Sequence, residues 1–478
     1  MCVLSILIVL LLGRVEASVG RSPRHRHTHH EFSLRAPHGG GSPAPAPGCC
    51  SPRSLPKRPH SVSITDFGAV GDGRIVNTLA FQNAIFYLKS FADKGGAQLY
   101  VPRGRWLTGS FNLTSHLTLF LEEGAVILGS QDLLEWPVIP ALPSYGRGRE
   151  LPGGRHISLI HGKNMVDVVI TGANGTIDGQ GSVWWDWFHN KTLDFTRGHL
   201  VELIDSRHIT ISNVTFKNSP FWTIHPVYCS DVLIQDVTIL APPYAPNIDG
   251  IDPDSSSNVC IRDCYISTGD DLISIKSGWD EHGINYGMPS TNVCIHNVSG
   301  QSPTSAGIAF GSEMSGGISD VFIKSVRVAN SRSGIRIKTG AGRGGYITNI
   351  SISDLQLENV SVAFDFTALY GGHPDDGYDP RALPVIRGIS IRDVVGHEIG
   401  WAGCMAGLEE APFRDLCFAN VSLSVGAGAW NCSNTYGFSE RVVPSPCLEL
   451  DRKQQQDGGF CFGEASSCFE AIRQYDSS

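Results

Sequence analysis

The sequence predicts an all-β chain wound as a single-stranded right-handed parallel β-helix of about 9–11 coils with an N-terminal capping helix. Two observations carry this. First, an apolar pair at i and i+2 recurs eight times: Ile209/Ile211, Val232/Ile234, Val259/Ile261, Val293/Ile295, Val321/Ile323, Ile350/Ile352, Ile389/Ile391 and Leu416/Phe418. Residues two apart on a strand share one face, so each pair points into a core. Second, a small polar residue follows each pair two places on: Asn213, Asp236, Asp263, Asn297, Ser325, Asp354, Asp393 and Asn420. Seven of these are Asn or Asp, which tolerate the left-handed conformation of a tight turn. Successive units start 23 to 39 residues apart. One turn is therefore held constant while loops elsewhere absorb the length changes, which suits stacked coils and not the regular blades of a propeller.

The elements follow in order. Cys2 to Leu12 is an apolar run shorter than the roughly 20 residues that span a bilayer. With Ala17 before Ser18 it reads as a secretion signal over 1–17. Residues 18–60 are rich in His, Pro, Gly and Ser, with seven Arg and Lys against the single acid Glu31. They lack apolar periodicity and are expected to be a basic, disordered leader. The cluster His25, His27, His29 and His30 reads as part of a solvated tail. The β-helix domain is expected over 61–465, with a C-terminal tail over 466–478. It opens with the alternation Val62, Ile64 and the turn Asp66 to Gly73. Asn77 or Thr78 can then cap a helix from Ala80 to about Phe91, with Phe81, Ala84, Ile85 and Leu88 at helical spacing. Such a helix would cover the open end of the stack.

The formal charge of −9 argues against a nucleic-acid partner, which needs a basic face. A polyanionic partner would have to be met by local Arg and Lys. Nine Asn-x-Ser/Thr sequons (Asn112, Asn174, Asn190, Asn213, Asn297, Asn349, Asn359, Asn420 and Asn431) fit a secreted, extracellular protein. So do the twelve cysteines left once Cys2 departs with the signal, which suggest disulfides. The chain is expected to be a monomer with no stable membrane association.

Three segments carry chemistry. Asn247-Ile-Asp-Gly follows a Pro-rich loop, and Gly269-Asp-Asp comes 21 residues after its Asp249, close to one coil. One coil of separation stacks two positions, so Asp249 is expected beside Asp270 and Asp271. Three carboxylates together repel, and at least one pKa should rise. Such a cluster suits Ca²⁺ binding or glycoside hydrolysis. Adjacent aspartates on an ideal strand face opposite ways, so they can share a cleft only if the chain bends at Gly269. Arg336 and Lys338 stand at i and i+2, both on one face, and are suited to sugar carboxylates. Trp184, Trp185 and Trp187 read equally as a sugar-stacking platform or as packing beneath loops.

Asn247-Ile-Asp-Gly, Gly269-Asp-Asp, the Gly311-Ser312 region and Arg336-Ile-Lys338 together resemble the signatures of glycoside hydrolase family 28, the polygalacturonases. The resemblance runs from about Ser61 to Phe462. Phe310 to Gly317 and Ser219 to Pro226 look like the plant and bacterial exo-type branch. The resemblance implies inverting hydrolysis of α-1,4-linked galacturonate in pectin, without cofactor or metal, in the cell wall. It implies Asp270 as general acid, Asp249 and Asp271 as the carboxylates that hold and deprotonate water, and Asn247, Arg336 and Lys338 as substrate-binding residues. Two departures stand out. Ile248 replaces the usual Thr, and Ala306, in Ser305-Ala-Gly, replaces the family's histidine. His225 and His282 are candidates to stand in for it. The alternatives are a non-catalytic pectin-binding relative and a Ca²⁺-dependent pectate lyase, which a chelator would silence.

Overall fold

In a computed structural model, residues 50, 54–450 and 461 are described. The expected signal, most of the leader with its histidines, and the tail from 466 lie outside them. The described chain is a right-handed parallel β-helix. Its strands form a 20-stranded sheet and a 4-stranded sheet whose pairings are all parallel. Among the described residues the antiparallel pairings are the short pair Val138–Ile139 with Arg155–His156 and an isolated bridge between Gly340 and Leu369.

The apolar pairs set the register. Ile211, Ile234, Ile261, Ile295, Ile323, Ile352, Ile391 and Phe418 lie directly above one another in a single column. Five further rungs extend it: Val62, Leu99, Leu119 and Ile170 before, and Ser439 after. All eight turn residues have positive φ, from 50° at Asn297 to 57° at Asp393. Even Ser325 does so, at 56°, because its place in the stack requires the turn whatever the residue. Beside these turns, amides link coil to coil: Asn258 donates to Asp231 (3.1 Å), Asn292 to Asn258 (2.6 Å), Asn297 to Asp263 (2.7 Å), Asn359 to Asn330 (2.9 Å) and Asn420 to Asp393 (2.9 Å).

Helix α1 runs Thr78–Lys89 and buries Ala80, Phe81, Ala84, Ile85 and Leu88 against the early strands Ala97–Val101 and Phe111–Asn112. Asn77 precedes it but does not cap it. Its amide is spent on the turn before the helix, bonding the backbone of Val70, Ile75 and Leu107. Helix α2, Ser182–His189, settles the tryptophan cluster as packing. Trp184 is buried edge-on against Trp136 and His156, and Trp185 is buried with its indole N–H on the Ser219 carbonyl.

Disulfides join Cys50–Cys260, Cys417–Cys461 and Cys432–Cys447, while Cys229 and Cys264 are free and buried. The first disulfide, with the ion pair of buried Arg58 to Asp167 (2.7 Å), ties the chain just before residue 60 to the coils. Composition alone had placed this stretch in the leader. Among the described residues, no helix is long and apolar enough to cross a membrane.

From Ile318 to Ser433 four successive coils run as unbroken strands of 21 or 22 residues, such as Ile318–Lys338 and Tyr346–Thr367. The coils before them are broken into short strands, and the candidate site lies along those breaks.

Candidate active site

The strand Ser257–Ser267 ends just before Gly269, and the next begins at Ile273. Asp270 and Asp271 occupy the irregular bend between them, so two sequence neighbours face one cleft. Ile251 pairs with Ile273, which puts Asp249 in register with Asp271 one coil away. One carboxylate oxygen from each of Asp249, Asp270 and Asp271 lies within 4.8 Å of the other two. The trio expected from coil spacing is thus assembled. Ile248 is fully buried, so the Thr it replaces would have pointed into the core.

The three carboxyls have different surroundings. Asp271 is fully buried and accepts from Ser305 Oγ (2.5 Å) and the Ala306 N–H (3.1 Å) on one oxygen, and from Lys338 Nζ (2.6 Å) on the other. Burial alone would raise it, but Lys338 and Arg336 outweigh burial and hold it at about 2. Burial and the charge of Asp270 push Asp249 up to about 7, despite Lys276 at 3.4 Å. Asp270 is only half-buried, and burial with the Asp271 charge raises it too. Two carboxyls that favour a proton thus face one that stays ionised.

The cleft over them has a volume of about 270 Å³ and is lined by Asn247, Asp249, Asp270, Arg336 and Lys338. The expected residues therefore converge on it, with Asp271 in its floor. Asn247 sits in the left-handed conformation with its side-chain oxygen on Arg197 (3.2 Å). Arg336 and Lys338 share a face as expected, but their duties differ. Lys338 is committed to Asp271. Arg336 lies 3.3 Å from Asp365 and keeps its guanidinium at the cleft.

Ala306 stands in register between Asp271's coil and Ser333. Neither candidate histidine takes the place of the missing one. The His225 ring is locked between Glu202 (3.0 Å) and Asp254 (3.2 Å), and His282 lies on helix α3, Asp280–Tyr286, beside Glu281. Among the described residues, no histidine lines the cleft.

Sequence reading missed several cleft residues: Arg149, Trp222, Lys276, Ser305, Glu313, Arg332 and Tyr370. Arg332 was within reach, since it lies four residues before Arg336 on the same strand. Among the described residues, two groups have the spacing of cation ligands: the aspartate trio, and His199, Glu202 and His225. Positive charge already answers both. Lys338 and Lys276 serve the first, and Arg155 contacts both oxygens of Glu202 (2.7 and 2.6 Å) in the second.

Comparison with known proteins identifies the family. The family described as Glycosyl hydrolases family 28 matches residues 153–443. The "Probable polygalacturonase" of Vitis vinifera is 51% identical over 414 residues, which is 86% of this chain and 84% of that protein. An "Exopolygalacturonase" of Zea mays is 27% identical over 343 residues, covering 70% and 75%. Among solved structures, the exopolygalacturonase of Thermotoga maritima superposes with a TM-score of 0.68 at 28% identity, covering 80% of this chain and 93% of that one.

Proposed function

Since the chain belongs to glycosyl hydrolase family 28, and is therefore a glycoside hydrolase, we propose that it hydrolyses the α-1,4-galacturonosidic bonds of pectin, outside the cell and in the wall. The observation that carries this is geometric: three carboxyls gathered beneath a cleft bearing Arg336, a cation for a sugar carboxylate. The disulfides and exposed sequons support the extracellular setting.

In this reading Asp270, raised and the most accessible of the three, delivers a proton to the leaving oxygen. Asp249 and Asp271 hold the attacking water, and Asp249 takes its proton. Asp249 and Asp270 titrate as a pair that carries one shared proton over the working range. The productive arrangement has that proton on Asp270. Arg336 holds a galacturonate carboxylate, and Asn247 lines the sugar path.

The trio is tighter than the roughly 6.5–9.5 Å separation usual for inverting glycosidases. Inversion is nonetheless the better reading, because a retaining nucleophile must be free to attack. Asp271 has both oxygens engaged by Lys338, Ser305 and the Ala306 N–H. Proton NMR of the first-formed sugar tests this directly. Inversion releases the β-anomer, and an α-anomer formed first overturns it.

Exo action is the mode we favour. Arg147, beside the cleft residues Arg149 and Glu150, donates to the Pro374 carbonyl (2.5 Å), which follows the cleft residue Tyr370. Two loops from distant coils are thereby joined beside a short cleft. Product released as monomer or dimer from the first minutes supports exo action, and a ladder of long oligomers opposes it.

A non-catalytic binding role rests on Ala306 alone. A protein that only bound a polyanion would gain nothing from three acids beneath its groove.

A further inference from the structure

We propose that Lys276 is the positioning residue of this reaction, clamping Asp249 in place and biasing the shared proton away from it. The proposal deepens the hydrolase reading and rests on it.

Lys276 follows the strand Ile273–Ile275 and is almost wholly buried. Its ammonium is ringed by three carboxylates: Glu313 at 3.3 Å, Asp249 at 3.4 Å and Asp252 at 3.5 Å. Ser274 Oγ lies at 3.2 Å, and the Trp222 ring centroid lies 4.2 Å from the nitrogen. A buried ammonium with this many acceptors is fixed in position.

The three carboxylates do not compete equally for it. Glu313 is also served by Arg149 (2.7 Å) and by Ser312 Oγ (2.7 Å), so its charge is largely met elsewhere. Asp252 is fully buried with no hydrogen-bond donor on either oxygen, an environment that keeps its carboxyl neutral. The charge of Lys276 is left for Asp249. The other titratable groups facing Asp249 are Asp252, then Asp270 and Asp271 from the bend, and Lys338 from the strand Ile318–Lys338. Burial raises the Asp252 carboxyl, and charge repulsion and a hydrogen bond with Asp249 raise it further. Lys338 is bound to Asp271, so Lys276 is the cation placed to favour ionised Asp249 while the proton stays on Asp270. No motif marked Lys276.

The test uses the purified full chain and the pH profile of kcat/KM on a galacturonate oligomer. Losing a cation at this distance should raise the pKa values of the pair by about 1–3 units. In Lys276→Met the profile should move to higher pH by that amount and fall at its maximum, with KM little changed. Lys276→Arg should recover most of the wild-type profile. Glu313→Gln removes a negative charge beside the ammonium without removing the ammonium, so its profile should move to lower pH. This variant keeps the test alive should Lys276→Met fail to fold. A folded Lys276→Met profile that stays in place, or a Glu313→Gln profile that moves up, overturns the proposal. Wild-type protein without product on any galacturonan would instead overturn the hydrolase reading.

Discussion

Lys338 Nζ lies 2.6 Å from Asp271 Oδ2, two side chains 67 residues apart that meet in the floor of the cleft. The pair fixes which carboxyl stays ionised, and it also bears on acid stability. Asp271 is held at about 2, below its ordinary 3.8. A depressed carboxyl contributes stability above its unfolded pKa and loses it as pH falls through the folded one. That window is pH 3.8 down to about 2. The contribution is about 2 kcal/mol. Denaturant unfolding of wild type and Asp271→Asn should diverge at pH 5 and converge near pH 2. A constant gap would remove the pair from acid stability.

Asp270→Asn should abolish hydrolysis with the fold intact. Asp270 is half-buried, and its Oδ1 accepts from the Asp271 N–H (2.9 Å), a bond that the Asn oxygen can also accept. Loss of a general acid typically costs 10²–10⁴-fold, so kcat should fall by about that factor. Circular dichroism and Tm should be unchanged. Turnover within tenfold of wild type would sink Asp270 as the acid.

Arg336→Ala should weaken binding of charged oligomers. A charge-assisted hydrogen bond is worth about 1.5–3 kcal/mol, so KM should rise roughly tenfold or more. The rise should shrink on methyl-esterified oligomers, which lack the carboxylate. Equal KM on both substrates would take Arg336 out of recognition.

The pH profile has a defined sign. In the proposed mechanism Asp249 and Asp270 share a proton, and burial together with the Asp270 charge pushes Asp249 up to about 7. As pH rises through about 7 the pair loses its last proton, and with it the acid. Turnover on polygalacturonate should therefore fall across that pH. Activity that climbs from pH 6 to 8 would contradict the assignment.

EDTA should leave activity unchanged. The trio is close enough to grip a cation, but Lys338 and Lys276 already supply the positive charge. Products should lack the ultraviolet absorbance of unsaturated sugars. Activity lost to EDTA and restored by Ca²⁺ would point to a lyase.

The coil register was legible because two local rules, apolar pairs and a left-handed turn two residues on, repeat within each coil. The trio was legible because its spacing approximates one coil. Lys276, Asp252 and Glu313 were not, because only stacking brings them together: Asp252 and Glu313 lie in or beside quoted motifs, but nothing local shows that both turn toward one buried ammonium. The same holds for Ser305, whose hydroxyl is defined only by the Asp271 above it. Asn77 shows a different failure. A capping residue by type, it is claimed by the preceding turn, and a sequence window cannot weigh those two uses.

In every amide rung that links the coils, the N–H belongs to the later coil and the accepting oxygen to the earlier one. The stack is therefore vectorial, with unlike ends. Severed between two such coils, the upstream piece would bare the ladder's side-chain acceptors and the downstream piece its side-chain donors, each beside a strand edge of unpaired backbone N–H and C=O groups. Those surfaces match, so a shortened chain would template its own copies head to tail, the open-ended growth that unguarded strand edges invite. Trimming coils from this molecule should yield fibres sooner than a smaller enzyme.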